Sequence, residues 1–254
     1  LSEPAADLPL ILALASSYRD KAIANNVAAI GEVGLTGEIR AVNNLSLRLG
    51  ELSRLGFTRV LIPHQGSAKV LPPEGMTDVH GRSIPWESCM TLNDHWGYCS
   101  ADHHYKPARM VVRSLVECVS KNGNLLLNVG PNAKGEIPAE SLAILEEVGR
   151  WMKENGEAIY GCGHSDLQKP EWGRYTQNGN RLYAHIFEDC LNAVMVDLPP
   201  DRIEKARLLC DGAEIRLEKP WNAAAFPDKT FFTFGGRSFP LPDEMDTVVE
   251  LTLN

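Results

Sequence analysis

The stretch Ser120-Lys121-Asn122-Gly123-Asn124-Leu125-Leu126-Leu127-Asn128-Val129-Gly130-Pro131 decides how the middle of this chain is read. Residues 124–129 form a short apolar run, the pattern of a strand in a parallel sheet covered on both faces. Asn122-Gly123 punctuates the chain before the run, and Gly130-Pro131 closes it. Upstream, Tyr105 to Lys121 places Ala108, Val111, Val112, Leu115, Val116 and Val119 on one helical face. Downstream, Pro138 opens a second helix carrying Leu142, Leu145, Val148 and Met152, which Asn155-Gly156 ends. Residues 86–160 therefore alternate between strand and helix, the grammar of βαβ units.

Working outward, residues 1–65 also read as α/β. Ser2 and Pro4 start a helix that runs to about Tyr18. Val27 to Val33 is a strand, Gly34 and Gly37 bracket a turn, and Ile39 to Val42 answers as a second strand. Leu45, Leu47, Leu49, Leu52 and Leu55 lie on a helix that Gly56 caps. Arg59 to Ile62 is a further strand, stopped by Pro63. Glycines and prolines make residues 66–85 a linker. From about residue 172 short strands follow one another. Leu182 to Phe187 pairs back across Asn178-Gly179, Asp211-Gly212 makes a second tight turn, and the pattern is that of an antiparallel sandwich. The expected fold class is α/β plus β, with segments at 1–66, 67–165 and 166–254.

Composition narrows the functional classes. With 25 basic against 33 acidic residues the net charge is −8, which argues against a nucleic-acid or anionic-membrane binder. No apolar run approaches the roughly 18 residues of a membrane helix. The chain opens Leu-Ser-Glu-Pro without a basic leader, and its six scattered cysteines include no C-x-x-C pair. A cytoplasmic setting with reduced thiols is expected.

Two resemblances follow from ordered motifs. Glu3-Pro4-Ala5-Ala6-Asp7-Leu8, Ala13-Leu14-Ala15-Ser16-Ser17, Gly31-Glu32-Val33-Gly34-Leu35-Thr36-Gly37-Glu38-Ile39-Arg40 and Leu55-Gly56-Phe57 resemble the Lon-protease-like domain of RadA-type DNA-repair proteins. That resemblance implies an α/β fragment and ring-forming association. The positions matching the Lon catalytic Ser–Lys dyad are Ala5 and Ser46, so a peptidase is not expected. The second set is Trp86-Glu87-Ser88-Cys89-Met90-Thr91, Asn93-Asp94, Trp96-Gly97-Tyr98, Ser120-Lys121-Asn122-Gly123-Asn124 and Leu126-Leu127-Asn128-Val129-Gly130-Pro131. Asn155-Gly156-Glu157-Ala158-Ile159-Tyr160-Gly161 and Trp172-Gly173-Arg174-Tyr175 extend it. This set resembles α-L-fucosidases of glycoside hydrolase family 29, from about residue 70 onward.

The fucosidase resemblance implies a (β/α) barrel followed by a β-sandwich, and hydrolysis of terminal α-L-fucosides with retention by two carboxylates. It implies a fucosylated oligosaccharide or glycoside as partner and neither cofactor nor metal. Such a barrel typically takes about 250 residues, and about 100 are free for it here, so a partial barrel is expected. Glu87 matches the position of an acid/base, its carboxyl raised by the neighbouring Trp86. Trp86, Trp96 and Tyr98 are candidate sugar contacts, and Asn128 is a candidate hydroxyl ligand at the active-site end of a barrel strand. No residue matches the nucleophile motif. Glu32, Glu38, Asp94 and Asp102 are the carboxylates that could stand in, from this chain or a neighbouring subunit. His103-His104 is read as an exposed pair, not a metal site. A partial barrel leaves strand edges open, so coverage by the Lon-like strands or by a second copy is expected. The non-enzymatic alternative is an inactive oligomeric scaffold or carbohydrate-binding remnant.

Overall fold

The computed structural model describes residues 3–33, 39–40, 42, 45–61, 71–72, 74–78, 80–188, 193–221, 223–234 and 241–254. The chain falls into two compact units, Leu1–Ser67 and Ala68–Asn254.

The first unit contains helix α1 (Asp7–Tyr18), strands β1 (Val27–Ala29), β2 (Glu32–Val33) and β3 (Ile39–Arg40), helix α2 (Leu45–Arg54) and strand β4 (Arg59–Leu61). β1 and β4 pair in parallel, while β2 and β3 pair antiparallel with Glu32 opposite Arg40. The single strand expected over 27–33 is interrupted at Ile30-Gly31. There the Ile30 N–H donates to Leu61 O at 2.9 Å and the Gly31 N–H to Ala5 O at 3.1 Å. Gly31 O accepts from Leu8 N at 2.9 Å, which ties the start of α1 to this sheet. Gly56 takes φ +87°, the left-handed conformation its capping position needs. The Ser2 cap, the Gly34–Gly37 turn, Glu38 and Pro63 lie outside the described residues.

The second unit begins its regular structure with β5 (Trp86–Thr91), α3 (Ala108–Val119), β6 (Gly123–Asn128) and α4 (Ala139–Asn155). α3 starts at Ala108, the first residue of its apolar face, three residues after the Tyr105 start expected from the sequence. Pro107 is extended (φ −64°, ψ 151°), and the residue before a proline is pushed out of the helical region. β5 and β6 pair in parallel with α3 as their crossover, Trp86 opposite Gly123 and Thr91 opposite Asn128. No third strand joins them among the described residues, and no closed barrel forms. One face of the pair lies under α3. The other is open, with Leu126 45 % exposed, so the doubly covered strand expected at 124–129 is covered on one face only.

Strands β7 (Gly173–Asn178), β8 (Arg181–Ile186), β9 (Val194–Val196), β10 (Ile203–Leu208), β11 (Leu217–Glu218), β12 (Thr230–Phe232) and β13 (Thr247–Leu253) complete the unit. They form two antiparallel sheets, β10-β13-β8-β7 and β11-β12-β9. Side chains of both, including Leu182, Ile186, Val196, Leu208, Phe232 and Leu251, share one apolar core. The β7–β8 loop is Gly179-Asn180, with Gly179 at φ +58°, since Asn178 pairs with Arg181.

A second core joins this sheet to the helices. Val112, Val116 and Val119 of α3 and Trp151 of α4 meet Tyr183 and Val248. Trp151 anchors α4, its indole N–H donating to Asp246 O at 3.1 Å. Leu142, expected on that face, is exposed. Two polar groups are buried in these layers. Glu117 of α3 accepts from Arg174 Nε at 2.6 Å and lies 2.9 Å from Lys121 Nζ. Burial raises its carboxyl, but Lys121 and Arg174 outweigh that and hold it below the ordinary value. His185 bridges Thr176 Oγ1 (2.9 Å) and Asp246 Oδ2 (2.7 Å), all three fully buried. Among the described residues no helix is long and apolar enough to cross a membrane.

Trp86 and Gly123 fit together because Gly123 has no side chain. A Cβ at Gly123 would stand 2.1 Å from Trp86 Cζ2. Gly123→Ala is therefore expected to destabilise the second unit by about 1–3 kcal/mol, the usual cost of overpacking. A urea unfolding midpoint equal to wild type would contradict this fit.

Candidate active site

Neighbouring side chains on a strand point to opposite faces. Trp86 therefore turns toward α3 and packs against Leu71, Met76, Cys118 and Leu125, its Nε1–H donating to Lys121 O at 2.8 Å. Glu87 stands exposed on the open face, where Asn124 Nδ2 of β6 donates to its Oε2 at 2.5 Å. Two expectations change. Trp86 is a core residue, not a sugar contact, and it does not desolvate Glu87.

The register also separates Glu87 from Asn128. Glu87 pairs with Asn124, four residues before Asn128, a rise of about 13 Å along the strand. In parallel α/β units ligands gather at the C-terminal ends of the strands, here Thr91 and Asn128. Glu87 is at the other end.

The strand ends carry a dense polar cluster, built by the loop that follows β5. Asn128 Nδ2 donates to Trp96 O at 2.7 Å. Gly130 lies flat against the Gly97–Tyr98 peptide, where a Cβ would stand 2.7 Å from Gly97 C. These two contacts dock the Trp96-Gly97-Tyr98 segment on the end of β6, with Trp96 44 % and Tyr98 52 % exposed. Lys106 Nζ donates to Asn93 O at 2.7 Å, and the Lys106 N–H to Leu92 O at 2.7 Å, which closes the base of the loop.

Asp102 organises the loop's interior. Its side chain is 2 % exposed. Oδ2 accepts from the Asp94 N–H at 2.9 Å and lies 2.7 Å from His95 Nδ1, and Oδ1 accepts from the His104 N–H at 3.0 Å. The His95 hydrogen bond, then the backbone N–H of His104, hold the carboxyl down at about 2. His95 itself keeps 56 % of its side chain exposed. His104 Nδ1 lies 3.3 Å from Asp94 Oδ2. Ligand atoms of Asp94, Asp102 and His104 come within 4.8 Å of one another, a grouping that residue spacing did not reveal. Both Asp102 oxygens are already engaged by N–H donors, so the cluster is accounted for as a hydrogen-bonded loop.

Of the four stand-in carboxylates, Asp94 and Asp102 come together here. Glu32 lies on β2 of the first unit, and Glu38 is outside the described residues. His103 is exposed. Sequence reading passed over His95 and Lys106. The available signal was His95 standing between Asp94 and Trp96.

A two-stranded βαβ unit with polar groups and open aromatics at its strand ends is the kind of site found in α/β-barrel enzymes. Residues 63–157 match the α-L-fucosidase family, and residues 2–78 match the C-terminal proteolytic domain of Lon protease. The chain thus carries one segment that matches the α-L-fucosidase family and one that matches the Lon proteolytic domain. It is 36 % identical over 113 residues to the α-L-fucosidase of Dictyostelium discoideum, covering 42 % of this chain and 24 % of that protein. It is 43 % identical over 74 residues to the DNA repair protein RadA of Streptococcus pneumoniae, covering 29 % of this chain and 18 % of that protein. Among solved structures, α-L-fucosidase isoenzyme 1 from Paenibacillus thiaminolyticus superposes with a TM-score of 0.69 at 55 % identity, over 73 % of this chain and 44 % of that one. A family 29 α-L-fucosidase from Bacteroides thetaiotaomicron gives a TM-score of 0.57 at 28 % identity, over 67 % and 38 %. The chain spans less than half the length of each.

The depressed Asp102 carboxyl makes an acid prediction. A group lowered from 3.8 to about 2 supports the folded loop fully above pH 4, and that support is lost as pH falls toward 2. The His104 amide proton shift, reporting on Asp102 Oδ1, should titrate with a midpoint near pH 2, and Asp102→Asn should remove that transition. A flat shift in the wild type would refute the bonding scheme.

Proposed function

We propose that this chain is an α-L-fucosidase-like glycoside hydrolase that acts on terminal α-L-fucosides with retention, in a chimeric form joined to a Lon-like segment. On this reading residues 67–165 are a partial (β/α) barrel, residues 166–254 a β-sandwich, and residues 1–66 a Lon-like fragment without the Ser–Lys dyad. The observation that carries the proposal is the 55 % identity to a solved fucosidase over 73 % of the chain, and the α-L-fucosidase family match over residues 63–157 takes in the strand-end cluster. The sugar would sit at the C-terminal ends of β5 and β6, with Trp96 and Tyr98 against its apolar face and Asn128 beside a hydroxyl. The acid/base role expected of Glu87 is not carried forward, because the register sets it about 13 Å from Asn128. Its assigned role is the open-face hydrogen bond with Asn124.

The substrate class is a fucosylated oligosaccharide or glycoside. The open face of β5–β6, with Leu126 half exposed, supports pairing of two or more copies, and a ring through the Lon-like segment is one such arrangement. The free thiols of Cys89, Cys99, Cys118, Cys162 and Cys210 support a cytoplasmic setting. The open face also favours a second reading, an inactive scaffold or carbohydrate-binding remnant.

Release of nitrophenol from nitrophenyl α-L-fucoside separates the two. The wild type is expected to hydrolyse it, Trp96→Ala to raise KM about tenfold, equivalent to about 1.4 kcal/mol of lost contact, and Glu87→Gln to change kcat/KM less than tenfold. An inactive wild type would leave only the scaffold reading. A loss of a hundredfold or more in Glu87→Gln would return the acid/base role to Glu87.

A further inference from the structure

We propose that Tyr160, Asn178 and Asn180 form a carbohydrate-binding site that stacks a neutral pyranose unit on the Tyr160 ring. The inference uses residues outside the strand-end cluster and holds whether or not the chain hydrolyses fucosides.

The platform is a fixed, open ring. Tyr160 belongs to the Asn155–Gly161 motif, which has no part in the strand-end cluster. It is 73 % exposed, a large aromatic surface left in water. Gly156 holds it in place. A Cβ there would stand 3.1 Å from Tyr160 Cε2, and the Tyr160 N–H donates to Gly156 O at 2.9 Å. The chain beyond is also fixed, since Gly163 and Gln177 exchange N–H···O bonds at 3.0 Å. The ring therefore rests on Gly156 and keeps most of its surface open.

Polar groups stand beside it. Glu157, Tyr160, Asn178, Asn180, Arg181 and Tyr183 line a cavity of about 370 Å³, within the roughly 300–1,000 Å³ of small-molecule sites. Asn178 Nδ2 would lie 3.3 Å from a Cβ at Gly161, so the bare glycine lets the amide approach the Tyr160 segment. Among the described residues the Asn178 side chain has no hydrogen-bond partner. Asn180 Nδ2 donates to Leu253 O at 3.4 Å, which leaves its Oδ1 to accept. The two amides together offer N–H donors and carbonyl acceptors, and a sugar hydroxyl both gives and takes a hydrogen bond.

Charge decides the class of ligand. Glu157 Oε2 lies 3.3 Å from both Arg181 Nη1 and Arg207 Nη2. Arg207 Nη2 also donates to Glu250 Oε2 at 2.6 Å. Two guanidinium groups thus face two carboxylates, and no charge is left over. A phosphate or an acidic sugar would meet no unmatched cation here. A neutral pyranose offers an apolar C–H face to the tyrosine and a rim of hydroxyls to the amides.

Location separates this cavity from the strand ends. The His164 N–H donates to Asn122 Oδ1 at 2.8 Å, which places the segment after Tyr160 at the start of β6. Trp96 is docked at the other end of that strand, on Asn128. A six-residue strand spans roughly 20 Å, so one sugar ring does not reach both places. The site holds a glycan without placing it at the strand ends.

The test titrates the full chain with lactose, cellobiose and maltose, neutral disaccharides that carry no fucose, and follows the amide NMR spectrum. At least one is expected to bind, with the shifted amides centred on residues 156–161 and 178–181. Tyr160→Ala is expected to weaken that binding about tenfold or more and to keep the wild-type urea unfolding midpoint, because the ring is exposed. Tyr160→Phe, which keeps the ring, is expected to bind as wild type does. Asn178→Ala is expected to weaken binding about fivefold, the loss of one hydrogen-bonding group. Failure of every disaccharide to bind would overturn the proposal, as would binding that survives Tyr160→Ala. Displacement of the sugar by inorganic phosphate would mark an anion site and overturn it too. So would a sedimentation coefficient that falls in Tyr160→Ala, since the ring would then be a contact between copies. None of the probes is a fucoside, so a chain inactive on nitrophenyl α-L-fucoside would overturn the hydrolase reading and leave this site standing.

Discussion

The second unit depends on the fit of the Trp86 ring over Gly123. Two parallel strands and one crossover helix have little to fix their register, since parallel hydrogen bonds are evenly spaced and a slip costs few of them. A one-residue slip would turn every side chain to the other face. Here the register is pinned sterically. The indole occupies the space a Cβ would take at Gly123, and its N–H ends on Lys121 O, just before β6. Gly75, at φ +77°, closes the same pocket, where a Cβ would meet Lys121 O at 1.9 Å. Once Trp86 is opposite Gly123, Thr91 is opposite Asn128, and the strand ends that carry the site are level.

Polar burial ties this small unit to the antiparallel sheets. Glu117 reaches from α3 to Arg174 on β7, and losing one partner of such a buried pair leaves an uncompensated charge. The second link is a chain of hydrogen bonds with a fixed direction. The Thr176 hydroxyl donates to Ala158 O at 2.7 Å, so its oxygen must accept from His185, and Nε2 of that ring carries a proton. Nδ1 meets Asp246, whose carboxyl burial pushes up. Apolar packing alone would tolerate sliding of the helices over the sheet, whereas these bonds hold only when donor and acceptor are aligned.

Much of this architecture was legible in the residues. Continuous apolar runs and Asn-Gly or Gly-Pro punctuation located β6, α4 and the β7–β8 hairpin. Asn122, at φ +58°, supplies the break before β6 that its sequence signals. What the residues concealed is orientation. Trp86 and Glu87 are adjacent in a motif, and adjacency suggested a shared pocket, yet strand alternation sends them to opposite faces. Likewise Leu142 fits a helical stripe by spacing, but the stripe that is buried runs through Ser141, Trp151 and Asn155. Spacing gives a face to within one residue in four, and the packing partner, distant in sequence, selects which.

The site repeats the same lesson at the level of chemistry. His95 and Asp102 are seven residues apart in a segment that is neither helix nor strand, so no periodicity links them. They meet because the loop folds back on three N–H donors that satisfy one buried carboxylate. A buried charge is costly unless it is bonded, so Asp102 acts as the nucleus on which residues 94–104 settle. The imidazole is then oriented as a by-product of satisfying that charge. One carboxylate thus sets both the course of the loop and the orientation of the ring beside it.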